Sequence, residues 1–440
     1  MTKKVSKRKR YPVNETNRKN SNMDEYQVNE ARRKNPNMDE YPANEARRKN
    51  PNKKEYSVNE TSRRLSKLRL TNSIDMPLLI IVILLLGTGL VMVLSASAPS
   101  SLADYGNSYN YVAKQAIATL IGLILMFFFS KYDYRKFKKS YKFIYVISVL
   151  VLVTVVIPGI GVSSGGARRW IKVGPVQLQP SELTKVGLII SLAGYFTDEK
   201  HNVNTFFKGV VVPIIVTLIP IILLYLIQNH MSAGIIMMMI AIVIIIMSGI
   251  NMKYIATLIG MGVAGIFGFV AIKDKLNLGF RSDRMLAWKD PFAYSSTIGY
   301  QTSQGLIAIG SGGLFGVGLG KSTQKYLYIP EAHNDFIFAI LAEELGFVGC
   351  AFVILLFILF TIRGIVISLK ATDLFGSLMA IGITTLISSQ AILNIAVVTN
   401  SIPNTGISLP FLSYGGTSLL ILLSCVGILL NISKQSKHAS

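Results

Sequence analysis

About ten apolar stretches, each long enough to cross a bilayer, alternate with polar connections between residues 76 and 432. A helix needs about 17 to 25 apolar residues to span the hydrocarbon core. The pattern predicts spans at 76–97, 111–129, 142–158, 179–196, 208–227, 231–249, 254–272, 334–360, 374–397 and 415–432. Lipid offers no partner for a backbone N–H or C=O, so apolar runs of this length are expected to be helical. The chain therefore reads as an all-α integral membrane protein with about ten transmembrane helices. A composition of 51% hydrophobic and 15% charged residues agrees with that class. The N-terminus has no early apolar run, so no cleaved signal peptide is expected and 74–98 is read as a retained first span.

Charge then divides the chain. Residues 1–70 hold 20 Lys and Arg against 9 Asp and Glu, half of the net charge of +22. They repeat with a period of 15, as "YPVNETNRKNSNMDE", "YQVNEARRKNPNMDE" and "YPANEARRKNPNKKE". The period is too short for common solenoid units, and the repeats are too polar to offset the entropy of ordering. Residues 1–70 are expected to be a disordered basic tail. Each Lys or Arg near anionic lipid contributes on the order of 1 kcal/mol, so attachment to anionic membrane lipids is expected. Recruitment of a partner through the repeated tyrosines is the alternative; nucleic acid is not an expected ligand. With the tail inside, an even number of spans places both termini in the cytoplasm, including a short tail at 433–440. Lys131, Arg135, Lys136, Lys138, Lys139, Lys142, Arg363 and Lys370 fall on that side, as the positive-inside bias predicts.

Two outward connections run against the bias. Residues 159–178 carry Arg168, Arg169 and Lys172, and a long extracytoplasmic loop at 273–333 carries seven Lys and Arg. An anionic ligand would account for them. Next, "QPSELTK" opens the fourth span with Glu182 and Lys185 on one helical face. Charges at membrane depth face each other or a cavity. The pair reads either as an ion pair joining helices or as part of a site with the upstream arginines, which suit bidentate contact with phosphate.

Further along, "AIGSGGLFGVGLGKSTQK" ends almost as a nucleotide P-loop, but Phe315 stands where the rule needs glycine and no strand is expected before it. Close packing or an amide-lined anion nest on a re-entrant segment fits better. Asp335, Ala339 and Glu343 share a face of the eighth predicted span, and Asp335 could cap its N-terminus. His333 lacks companions at zinc-ligand spacing. Cys350 and Cys425 both lie in apolar segments and read as small buried hydrophobes. "NSIPNTGISLPFLSYGGTS" has the prolines, glycines and hydroxyls of a shaped loop lining a cavity.

"GGARRWIKVGPVQLQPSELTK", "GYQTSQGLIAIGSGGLFGVGLGKSTQK", "PEAHNDFIFAILAEELGFVG" and "LPFLSYGGTS", taken in order, resemble the SEDS family, the FtsW/RodA/SpoVE group of bacterial cell-wall polymerases. The similarity covers residues 74–432 and is closest to the division and sporulation branch in "GLVMVLSASAPSSLADYGNSYNYVAKQ". It implies a SEDS-type fold with both ends cytoplasmic. The implied activity is peptidoglycan glycosyltransfer, polymerising lipid II into glycan strands outside the bacterial cytoplasmic membrane. A class B penicillin-binding protein transpeptidase and other division proteins would be partners, at the division septum. Translocation of lipid II and a non-catalytic scaffold are the alternatives.

Arg168, Arg169, Lys172, Glu182 and Lys185 are then expected at the substrate diphosphate. His333, Asn334, Glu343, Ser413, Gly415 and Gly416 are expected to line the cavity. No organic cofactor is implied, and a divalent cation is left open. The family's catalytic Asp sits in an "NP-x-x-D-P" run before "GYQ"; here that position is Tyr294, and Asp290 aligns with an upstream Asn/Asp. Asp290 is the expected base, with Asp335 as the alternative and Asp283 as a further carboxylate. "QNHMSAG" stands where many members have "QPDLGT", so His230 replaces an acid.

Overall fold

The computed structural model describes residues 68–70 and 74–439, apart from 158, 165–166, 174–175, 200, 202, 204, 229, 252, 255–256 and 258–284. The repeat tail, the predicted span at 254–272 and Asp283 therefore lie outside the described residues. The remaining nine predicted spans fall on helices. In chain order the helices are α1 (Met76–Tyr105), α2 (Asn110–Lys131), the short α3 (Arg135–Lys139), α4 (Tyr141–Val153), α5 (Pro180–Thr197), α6 (Val212–Gln228), α7 (Met231–Met247), α8 (Tyr300–Gly312), α9 (Ile337–Lys370), α10 (Leu374–Val398) and α11 (Gly416–Lys434), of which α3 and α8 lie outside the predicted spans. A π turn at Phe207–Val211 leads into α6. Among the described residues six helices are long and apolar enough to cross a membrane, and α4 and α7 are shorter apolar helices. The protein is a multi-pass membrane protein.

Hydrophobic side chains cover the outside as well as the core, as lipid requires. Along α2, Ile117, Leu120, Ile124, Phe127 and Phe128 are exposed, whereas α10 is buried on most of its faces. Helices α5, α10 and α11 form the centre, with α10 packed on α5, α7, α9 and α11. Small residues permit the close crossings: a Cβ on Gly427 of α11 would strike the Met126 carbonyl of α2, and one on Gly364 of α9 would strike the Thr384 hydroxyl of α10.

Polar contacts tie the helix ends into two layers. At the basic end, the Arg363 guanidinium bonds the Asp75 carboxylate, and the Asp75 amide donates to Ser433 Oγ at 3.2 Å. Arg135 Nε meets Asp373 Oδ2 at 3.1 Å, and the Tyr134 amide donates to Asn431 Oδ1. Burial raises the Asp373 pKa, but the Tyr134 hydroxyl, the Gly376 amide and Arg135 overcome it and leave it lowered. Ser95 and Asn394 lie about twenty residues, or about 30 Å of helix, above that layer on α1 and α10. Ser95 contacts Glu344, and Asn394 Nδ2 donates to the Asp335 carbonyl at 2.7 Å. The chain from Asp335 to Glu344 thus has both ends at one depth and lies across the bundle.

That placement corrects the eighth predicted span. Its 334–360 run is broken at Gly346, whose φ of 67° and ψ of −165° leave the helix. The first part of α9, Ile337–Leu345, lies near the end opposite the basic one, the outer end of the expected topology, and residues 347–370 run the length of the bundle, about 36 Å of helix. Two further corrections concern connections. The connection before α5 holds three strands, β1 (Gly161–Ser164), β2 (Ala167–Val173) and β3 (Val176–Leu178), paired as an antiparallel sheet in the order β1-β2-β3. The long loop contains α8, which packs beside the first part of α9. Both elements escape an apolar scan because they are short and mixed in polarity.

Candidate functional site

Strand β2 divides the three outward cations. The pairing of β2 with β1 shifts register at Arg169, with Val162 opposite Trp170 and Ser163 opposite Arg168, so the alternation of a regular strand is interrupted there. Burial separates the three cations: Arg169 is partly buried, near the buried Ile171, whereas Arg168 and Lys172 are exposed. The inward Arg169 Nε donates to the Gln228 carbonyl, the last residue of α6, at 3.1 Å. Arg168 and Lys172 therefore flank the approach rather than enter the helix bundle.

Behind the sheet, α5 begins at Pro180, whose missing N–H and fixed φ suit a first helical turn. One turn on, Lys185 Nζ donates to Glu182 Oε1 at 2.6 Å, with both side chains almost fully buried. Gln390 of α10 donates from Nε2 to Glu182 Oε2 at 3.4 Å. His230, between α6 and α7, is buried close enough to Arg169 and Lys185 for both to oppose its protonation. Ser181 Oγ, Gln228 Oε1, His230 Nδ1 and Gln390 Oε1 are buried with no hydrogen-bond partner among the described residues. Such atoms are costly unless something else satisfies them. Of these, the Ser181 hydroxyl and the His230 imidazole can donate to a phosphate oxygen, whereas the two amide oxygens only accept; Arg169 and Lys185 supply positive charge, partly offset by Glu182.

The loop at 399–415 lies over this cluster. Ser232 Oγ donates to the Thr405 carbonyl at 2.6 Å, and the next residue, Gly406, lies beside Asp335 Oδ2. Asp335 precedes the helix and does not cap it: the N-cap position is Phe336, with no side-chain cap bond. Burial, with Glu331 nearby, raises the Asp335 pKa to about 6, although its own backbone N–H acts in the opposite direction. Asp290 sits on the same outer layer through Trp288, whose Nε1 donates to the Asn400 carbonyl at 3.0 Å. Its exposed carboxylate accepts the Ala293 amide at 3.0 Å and so closes a turn.

The other expected lining residues are held in packing roles. Ser322 and Thr323 bond both Glu343 carboxylate oxygens, with Thr323 N at 2.9 Å. Lys325 Nζ bonds Glu344 Oε1 at 2.9 Å and Ser95 Oγ at 3.0 Å. The glycine-rich return supplies close packing rather than an anion nest, because its Val317 and Gly318 amides donate to the Glu343 and Glu344 carbonyls. His333 is buried and packs against Tyr111 and Tyr414 at 4.7 and 5.5 Å; burial lowers its pKa to about 4. Asn334 bonds Glu331, the Ser413 hydroxyl accepts the Leu409 amide, and Gly415 N donates to Gln115. Gly416 opens α11 against Ala118. Cys425 is buried and Cys350 half-buried, both as free thiols. Gln228, Gln390 and Ser181 were not legible as site residues. The only signal was their polarity inside apolar runs.

A cavity of about 560 Å³ opens at the opposite, basic end, lined by Arg135, Lys138, Asp198, Glu199, His201 and Asp373 among others. Its mixed charge and its distance from the outer layer separate it from the cluster.

Comparison with known proteins matches this architecture. The profile of the FtsW/RodA/SpoVE family, described as "Cell cycle protein", matches residues 76–438. Stage V sporulation protein E of Bacillus subtilis (strain 168) is 42% identical over 367 residues, 83% of this chain and 99% of the relative. The "Probable peptidoglycan glycosyltransferase FtsW" of the same organism is 38% identical over 384 residues, 84% of this chain and 93% of the relative. A chain of a solved peptidoglycan synthase complex that coordinates polymerization and crosslinking superposes with a TM-score of 0.68 at 25% identity, covering 82% of this chain and 98% of that one. Rod shape determining protein RodA of Thermus thermophilus gives 0.60 at 25% identity, with 83% and 98% covered. This chain belongs to the FtsW/RodA/SpoVE family.

Proposed function

We propose that this protein is a peptidoglycan glycosyltransferase that polymerises lipid II at the outer face of the cytoplasmic membrane. The observation that carries the reading is the buried Lys185–Glu182 pair near the partly buried Arg169, with unpartnered Ser181 and His230 atoms beside them, on a family fold whose relatives bear glycosyltransferase names. Glycosyl transfer from a lipid diphosphate expels an anion and deprotonates an acceptor hydroxyl. Arg169 and Lys185 stabilise the departing diphosphate, Glu182 holds the Lys185 ammonium in place, and Arg168 and Lys172 attract the substrate at the rim.

Asp335 is the favoured base, ahead of Asp290. A carboxyl raised to about 6 suits proton transfer at neutral pH, and Asp335 is less exposed than Asp290, whose carboxylate is engaged in a turn. The Gly406–Thr405–Ser232 path also brings Asp335 toward the His230 end of the cluster. A class B penicillin-binding protein is the proposed partner, at the septum, with both termini cytoplasmic.

The test is polymerisation of lipid II by the purified full chain with and without that partner. Wild type forms glycan polymer, and Asp335→Asn lowers the rate by roughly 10²–10⁴-fold. Loss in Asp290→Ala alone moves the base to Asp290. Translocation of lipid II in liposomes with no polymer replaces the reading with transport.

A further inference from the structure

His230 is the one histidine in the outer cluster, and it is 7% exposed at the N-cap of α7. An N-cap side chain normally bonds a free amide of the first turn, but His230 makes no such bond, and its Nδ1 has no partner. The ring is thus neither a cap nor apolar filling. Its charged neighbours are Arg169 on β2 and Lys185 on α5, with Glu182 held against Lys185. α6 and α10 contribute the neutral amides of Gln228 and Gln390, and the loop over the cluster brings Thr405 onto Ser232, with Asp335 beside Gly406. Burial and the two cations keep the imidazole neutral in the empty protein.

A diphosphate between Arg169 and Lys185 would reverse the local potential. It brings negative charge and acceptor oxygens to a ring whose second nitrogen can then carry a proton. We propose that His230 is a proton-linked binding residue, taking up one proton from solvent as a lipid diphosphate enters beside Arg169 and Lys185. The inference rests on the diphosphate reading above and adds to it a pH dependence of binding. The sign follows from the direction of the change. Proton affinity is higher in the complex, so binding strengthens as pH falls, by up to about tenfold per pH unit between the free and bound pKa values.

The test is calorimetric titration of the detergent-solubilised full chain with farnesyl diphosphate near pH 6, in buffers of different ionisation enthalpy. Wild type takes up about one proton more per ligand than His230→Gln. Subtracting the variant removes the ligand's own titration. His230→Asn serves as a second neutral variant, and His201→Gln, at the basic end, retains the wild-type uptake. Equal uptake in wild type and His230→Gln, with farnesyl diphosphate bound by both, overturns the role of His230 and leaves the diphosphate site standing. Absence of binding by wild type at every pH overturns both.

Discussion

The Glu182–Lys185 pair and Asp335 place opposite demands on the fold. Breaking a buried ion pair leaves a charge without compensation, at a cost of about 3–5 kcal/mol. Glu182→Gln and Lys185→Met are each expected to lower the thermal midpoint in detergent, whereas the double variant recovers most of the loss. A double-mutant cycle on unfolding reads the difference, and additive single effects would show that the two residues do not act as a pair. Asp335 works the other way. Its pKa is raised in the folded chain to about 6. Its contribution to stability is therefore greatest below the unfolded carboxylate pKa and is lost as pH rises through about 6. At pH 8 Asp335→Asn is expected to melt higher than wild type while losing polymerisation, a gain in stability at the expense of activity. The wild-type rate should fall on the acid side of about pH 6, where the base is protonated, and a flat profile there would remove Asp335 from that role.

At the scale of elements, the break in α9 is the feature most sensitive to sequence. Gly346 has φ of 67°, and a Cβ there would overlap Gly316 N. Gly316 faces the Glu344 carbonyl in the same way with φ of 77°. These two backbones lie so close that Phe347 N donates to the Gly313 carbonyl at 2.9 Å. Alanine at Gly346 combines left-handed strain with a backbone clash, and we expect more than about 2 kcal/mol of destabilisation. Gly87, inside α1, has nothing within 4 Å of its missing Cβ. Alanine there should stabilise by about 0.4–1 kcal/mol. Thermal unfolding of the two variants separates the cases, and similar effects from both would mean that the break is not a packed junction.

For the whole molecule, the two polar layers predict which residues each compartment reaches. Asn107 lies beyond α1 at the outer layer, where its carbonyl accepts from Ser101 Oγ; Lys138 lines the basic-end cavity. In intact cells a cysteine at Asn107 is expected to react with a membrane-impermeant maleimide, and one at Lys138 only after permeabilisation. The reverse pattern would invert the topology. Much of this was legible in the chain. Apolar runs located the helices that hold nine of the predicted spans, to within a few residues at most ends, because lipid selects for length and hydropathy, both local properties. The positions of Lys138, Arg363 and Lys370 marked one face, and the ordered motifs pointed to the family. What the tertiary structure decided lies beyond local pattern. The tertiary structure left Arg169 partly buried against the Gln228 carbonyl and Arg168 and Lys172 exposed, where a linear count saw one cationic group. Ser322 and Thr323 turned Glu343 into a loop anchor, and Gly346 removed the first turns of a predicted span from the crossing. The outer cluster joins Glu182 to Gln390 across 208 residues. Periodicity assigns a residue to a face of its own helix, but only the packing of helices decides which distant side chain that face meets.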